Sequence, residues 1–194
     1  MNSSRRDQLV DTATRLFSRH GFRSTGIDAV LAESGVAKKT LYNHFRSKDE
    51  LIIATLQKRD EEFMKFARDG IARLAAQQDG DPRMRRLLAF FDTLAEWAHS
   101  DAFNGCTFIN ASAEYPRRED PIHVACANHK KLVTQFIEEL IAELQLTDSH
   151  QVARQIALLI DGAIVAAHTA CDLSSIALAK ETARRLLDSY EGQK

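Results

Sequence analysis

Seven consecutive residues, Lys38, Lys39, Thr40, Leu41, Tyr42, Asn43 and His44, bring ammonium, hydroxyl, amide and imidazole groups into one short run. Lysine donates to the acceptors of guanine and asparagine pairs bidentately with adenine, so Lys39 and Asn43 suit the base edges of a DNA groove. Thr40, Tyr42 and His44 suit phosphate oxygens, with Lys38 beside them and with Thr25 and Lys48 supplying donors to the flanking backbone. Catalytic chemistry is poorly served by comparison. His99, His123, His129, His150 and His168 are scattered, and the chain carries no H-E-x-x-H, no pair of Glu-x-x-His motifs, no nucleophile elbow and no phosphate loop. The expectation is a protein that binds and does not catalyse, with no cofactor.

These groups need a scaffold. A helix starting near Lys38 places Leu41 and Phe45 four residues apart on one face, with Val36 just ahead, and leaves the polar groups on the other. Seven residues are too few for a helix to be stable alone, so Leu41 and Phe45 must be clamped from below. Upstream, Thr25-Gly26-Ile27-Asp28 reads as a capping box opening a helix with Ile27, Val30 and Leu31 inward, and Gly35 ends it at a sharp turn. Two helices joined by a short glycine turn, the second basic and polar outside, form a helix-turn-helix. Ser47-Lys48-Asp49-Glu50 is a second capping box that launches the next helix at Leu51.

Phe17, Gly21, Phe22, Thr25, Ile27, Gly35, Val36, Ala37, Thr40, Leu41, Tyr42, His44, Phe45, Lys48, Asp49 and Leu51 follow an order and spacing over residues 8 to 55 that resembles TetR/AcrR-type transcriptional regulators. Lys39 stands where a small residue is frequent in that family, and Arg46 where proline or glycine is frequent. Both departures add cationic reach and bear on the preferred operator, not on the fold. Gly105-Cys106-x-Phe108-x-Asn110 with Glu114 beyond is similar to one branch of the same family. The resemblance implies a repressor that binds a palindromic double-stranded operator as a homodimer and releases it when a small-molecule inducer enters the C-terminal domain.

The 194 residues are 44% apolar, with three prolines and eight glycines, and their longest apolar patterns have helical period. The expected fold is all-α, with about nine helices: a three-helix head over 1–47 and a larger helical ligand-binding and dimerisation domain over 48–194. A connecting helix from about 48 to 78 would act as the lever between them. Net charge is −1, yet residues 1–59 hold eleven Lys+Arg against six Asp+Glu, and the remainder fifteen against twenty-one. A basic head on an acidic body confines phosphate attraction to one end. No run of eighteen uninterrupted apolar residues and no apolar signal core behind Met1 are present, so a cytoplasmic protein with no membrane partner is expected. Cys106, Cys126 and Cys171 lack metal-ligand spacing; the expectation is reduced thiols and no metal, with a redox-switched repressor as the alternative.

In the body, Phe63, Phe66, Phe91, Trp97, Phe108, Asn110, His123, Phe136 and His168 supply an apolar lining with polar handles for an inducer pocket. For each of them core packing is the competing role. Between about Ser149 and Tyr190 two helices are apolar over more than one stripe. Ile156, Leu159, Ile160, Ala163, Ala167, Leu178 and Leu186 are therefore expected to form a two-fold four-helix interface with a second copy.

Overall fold

The structure, a computed structural model, describes residues 4–191. Among the described residues the chain forms nine α-helices and no strand: α1 (Arg5–His20), α2 (Ile27–Ser34), α3 (Lys38–His44), α4 (Lys48–Leu74), α5 (Arg85–Ala98), α6 (Thr107–Glu114), α7 (Pro121–Leu140), α8 (Ser149–Thr169) and α9 (Ser175–Glu191). Single turns of 3-10 helix, Ala75–Gln77, Pro82–Met84 and Ala142–Leu144, occupy positions where sequence periodicity alone continues or opens an α-helix. The chain divides into two compact units, residues 1–62 with 107–129, and residues 63–106 with 130–194. The division expected at residue 47 follows role, whereas the compact units group α6 and the first part of α7 with the N-terminal residues.

In the first unit α1 packs on α2 and α3. Leu9, Val10, Ala13 and Phe17 recur at helical spacing and are buried, and Phe17 stacks on Phe22 with ring centroids 5.2 Å apart. Ser4 caps α1 by accepting the Asp7 N–H at 3.1 Å. Gly35 ends α2 at φ +66°, a left-handed conformation that a side chain disfavours, and so makes the turn into α3. Leu41, with no exposed surface, and Phe45, 3% exposed, are the inward residues below α3. The second capping box forms in half: Ser47 Oγ accepts the Glu50 N–H at 3.2 Å, while the Glu50 carboxylate reaches one residue past Ser47 to accept the Arg46 N–H at 2.7 Å. The first does not. Gly26 occupies the N-cap of α2 without a side-chain bond, while the Thr25 hydroxyl turns back to donate to the Gly21 carbonyl at 2.7 Å. Val30 alone of the three expected inward residues of α2 is fully buried; Ile27 and Leu31 are half-buried. Farther along the unit, the Phe108 and His129 rings stack in parallel at 3.5 Å, and His129 Nδ1 lies 2.5 Å from Asp60 Oδ1.

The second unit encloses one apolar cluster drawn from Leu87, Phe90, Phe91 and Leu94 on α5, Phe136, Ile137 and Leu140 on α7, Ile156 and Ile160 on α8, and Ala183 and Leu187 on α9. Phe90 meets Phe63 and Phe136 edge-on at 6.3 and 5.5 Å. An eighteen-residue window of α8 has a mean hydropathy of 1.3, enough by length and composition to cross a membrane. Its Ile156, Ile160 and Ala163 are instead buried in the unit, and its Asp161 pairs with Lys130 at 2.6 Å.

Because α3 depends on burial for its existence, Leu41→Ala should lower thermal stability by about 2–5 kcal/mol. Lys39→Ala, an exposed change on the same helix, should stay within about 0.5 kcal/mol of the parent. Thermal unfolding followed by circular dichroism checks both.

Candidate nucleic-acid interface

With Leu41 and Phe45 underneath, the remaining side chains of α3 project outward. Lys38, Lys39, Asn43 and His44 are exposed, Tyr42 is 48% exposed, and Thr40 is half-buried at the edge of the face. Ala37 stands at the N-cap in extended conformation with no side-chain bond, so no side chain blocks the first amides of α3. Lys38 Nζ lies 3.6 Å from Asp28 Oδ1, an exposed ion pair of little energetic weight that leaves the ammonium available to a stronger anion. The Arg6 guanidinium sits over the Phe45 ring at 5.4 Å, which brings a further cation to the C-terminal end of the same helix. Five of the six polar residues expected on α3 are therefore exposed, with Thr40 half-buried beside them.

The two flanking candidates behave differently. Thr25 is only 4% exposed and its hydroxyl is spent on the Gly21 and Leu16 carbonyls, so it organises the turn and does not present a donor to a ligand. Lys48 is half-buried and its Nζ donates to the Arg23 carbonyl at 3.1 Å; burial lowers its pKa against the opposing pull of Asp49 and Glu114. Its ammonium ties the start of α4 to the turn between α1 and α2. Glu114, noted in the sequence only as the residue beyond the Gly105–Asn110 pattern, joins that same turn: its carboxylate accepts the N–H groups of Phe22 and Arg23. No local pattern announces these partners, since 92 residues separate Glu114 from Phe22.

The inducer candidates are divided between the two compact units. Phe108, Asn110 and His123 belong to the first unit, and Phe63, Phe66, Phe91, Trp97, Phe136 and His168 to the second. Phe91, Phe108 and Phe136 are at most 3% exposed, so their area is consumed by core packing. Phe66 points outward, and His123 Nδ1 lies 2.8 Å from the Tyr115 carbonyl. Trp97, Phe103 and His168 form a chain of edge-on rings at 4.8 and 6.1 Å. Two cavities open in the second unit. One of about 450 Å³ is lined by Leu74, Gln78, Asp92 and Lys180 among others, and one of about 250 Å³ by Lys130, Thr134, Arg154 and Asp161 among others; none of the nine candidates lines either. Among the described residues no group of three His, Cys, Asp or Glu could hold a metal ion.

Of the expected interface residues, Ile156, Ile160, Ala163 and Ala167 on α8 are buried within their own chain, Leu159 on α8 and Leu186 on α9 are half-buried, and Leu178 on α9 is exposed (68%). On α8 the exposed apolar positions lie one step round the helix from the expected ones, at Leu158 (73%) and Val165. Sequence shows that α8 has two apolar stripes but not which one its own core takes.

The family models agree with this architecture. "Bacterial regulatory proteins, tetR family" matches residues 9–55, and "Tetracyclin repressor-like, C-terminal domain" matches residues 84–187. The chain belongs to the TetR family of DNA-binding transcriptional regulators. Its structure is similar to that of SCO4454, a TetR-family transcriptional regulator from Streptomyces coelicolor, with 30% identity and a TM-score of 0.82 over 98% of this chain and 91% of that one. The transcriptional activator FasR of Mycolicibacterium smegmatis is 30% identical over 155 residues, 79% of this chain and 66% of FasR. The transcriptional repressor NemR of Escherichia coli is 27% identical over 109 residues, 56% of this chain and 53% of NemR. Its reduced form shares the fold, with 21% identity and a TM-score of 0.77 over 93% of this chain and 95% of that one.

If α3 of this TetR-family chain divides its labour as its side-chain chemistry suggests, Tyr42→Phe weakens binding to all duplexes alike, while Asn43→Ala relaxes preference at one base position by about 1–3 kcal/mol. Binding titrations against a set of single-base operator variants distinguish these outcomes.

Proposed function

We propose that this protein is a ligand-responsive repressor that binds a palindromic operator as a homodimer and releases it when a small molecule binds the C-terminal domain. The observation that carries the reading is the outward polar face of α3 over buried Leu41 and Phe45. On it Lys39 and Asn43 read base edges in the major groove, and Lys38, Thr40, Tyr42 and His44 hold phosphates. Two such helices about 34 Å apart read a palindrome that one alone binds weakly. The exposed Leu158, Val165 and Leu178 support α8 and α9 as the surface that joins the copies, because side chains this apolar gain by leaving water. α4, residues Lys48–Leu74, is the connector, running from the reading head into the residues of the second unit. By linkage, a ligand that favours badly spaced heads weakens DNA binding by the factor with which DNA weakens the ligand.

A second reading, a redox-switched repressor, is favoured by one observation: the Lys130 ammonium lies 3.6 Å from Sγ of half-buried Cys106. Peroxide then transfers one oxygen to sulfur, giving sulfenic acid and leaving hydroxide. NemR, one of the relatives, is known in a reduced form.

Both readings are tested by sequencing the DNA that the full chain retains from a random duplex pool, before and after mild peroxide. The repressor reading expects an enriched palindrome with half-sites about one DNA turn apart and two protomers per duplex; no enrichment contradicts it. Loss of retention after peroxide in the parent, but not in Cys106→Ser, supports the redox reading, and retention unchanged in both removes it.

A further inference from the structure

The turn between α1 and α2 is held by α6, an element 90 residues away in the chain. Glu114, the last residue of α6, accepts the Phe22 N–H through Oε1 at 2.9 Å and the Arg23 N–H through Oε2 at 2.6 Å. Gly21, at φ +83°, leaves the space this carboxylate occupies, since a Cβ there would lie 3.1 Å from Oε1. Tyr115, the next residue, lies under the Arg23 guanidinium at 5.3 Å. The Arg23 carbonyl is taken by Lys48 Nζ at the start of α4. Thus both amides and one carbonyl of residues 22 and 23 are held by side chains of α6 and α4.

The turn is no loose surface loop. Phe22 is 1% exposed and stacked on Phe17, and α1, which carries Phe17, packs directly on α3. A displacement of the Phe22 backbone therefore has to move the packing on which the reading helix rests. Carboxylate-to-amide bonds are charge-assisted and short, and they are lost when donor and acceptor separate much beyond about 3.2 Å. A shift of α6 by about 1 Å is enough to break both.

We infer that Glu114 is a positioning residue for operator reading: its carboxylate locks the α1–α2 turn to α6 and so fixes the attitude at which α3 is presented. The inference rests on the DNA-reading function proposed above and names the bond through which α6 acts on it.

The test uses full-length parent, Glu114→Gln and Glu114→Ala, the operator recovered by selection, versions with the half-site spacing changed by one base pair, and non-specific duplex. The glutamine variant keeps size and one acceptor but turns an NH2 toward an amide donor, so it should fold as the parent does. Loss of two charge-assisted bonds should lower affinity for the native spacing by about tenfold or more. Non-specific affinity should stay within about twofold, since the phosphate-binding cations are untouched, and the preference for native over altered spacing should shrink. Retained affinity and spacing preference in both variants overturns the inference, as does a loss that is equal for all duplexes and tracks a lowered melting temperature. If the parent itself enriches no DNA, the function proposed above fails, and the positioning role with it.

Discussion

A seven-residue helix cannot hold its own shape in water, and the reading surface of this protein is such a helix. What holds it is the removal of Leu41 and Phe45 from water beneath it. Four residues apart, they fix the rotation of α3 about its axis, and rotation decides that Lys39, Asn43 and His44 face outward. Gly35 fixes where the helix begins, and the Ser47 and Glu50 bonds fix where α4 takes over. The affinity for DNA proposed for this face is electrostatic and polar, but its geometry is hydrophobic in origin.

Around that helix the first unit is built from sequence-distant pieces. Residues 107–129 join the head and bring Glu114 to the α1–α2 turn and His129 to Asp60. Burial pushes the Tyr115 hydroxyl pKa up, with Asp49 and Glu114 adding to it, while burial pulls Lys48 down. Glu114 and Lys48 offset their lost hydration through the bonds they make to the backbone of the turn, and Tyr115 lies against it through the Arg23 guanidinium over its ring. That investment in a single turn is what a head whose orientation must be controlled would need.

The all-α fold and the helix-turn-helix were legible because helical periodicity, a C-terminal glycine and a capping box are local signals. Leu9, Ala13 and Phe17, or Leu41 and Phe45, declare their common face by spacing alone. Thr25 misled because its position before Asp28 imitates a cap, whereas the Gly21 carbonyl offered its hydroxyl a nearer partner. The pocket and interface expectations were less legible for another reason. Composition places Phe91, Phe136, Ile156 and Ile160 inside something apolar, but only tertiary packing tells a core from a ligand cavity or a partner. Leu158 was distinguishable from Ile156 and Ile160 only once α8 had chosen its own inward stripe, whereas Leu178, named from the sequence, is exposed on α9. Glu114 stood out only as the residue beyond the Gly105–Asn110 pattern, and its partners were illegible because a bond across 92 residues leaves no periodic trace.

The central claim, that the polar side of residues 38–44 enters the major groove, is tested most directly by methylation interference on the operator with purified full-length protein. Guanine N7 lies in the major groove and adenine N3 in the minor. The account predicts that N7 methylation within each half-site blocks binding, in two clusters about one helical turn apart, and that substituting Lys39 removes one of the blocked positions. Interference confined to adenine N3, or absent from both grooves, would contradict it.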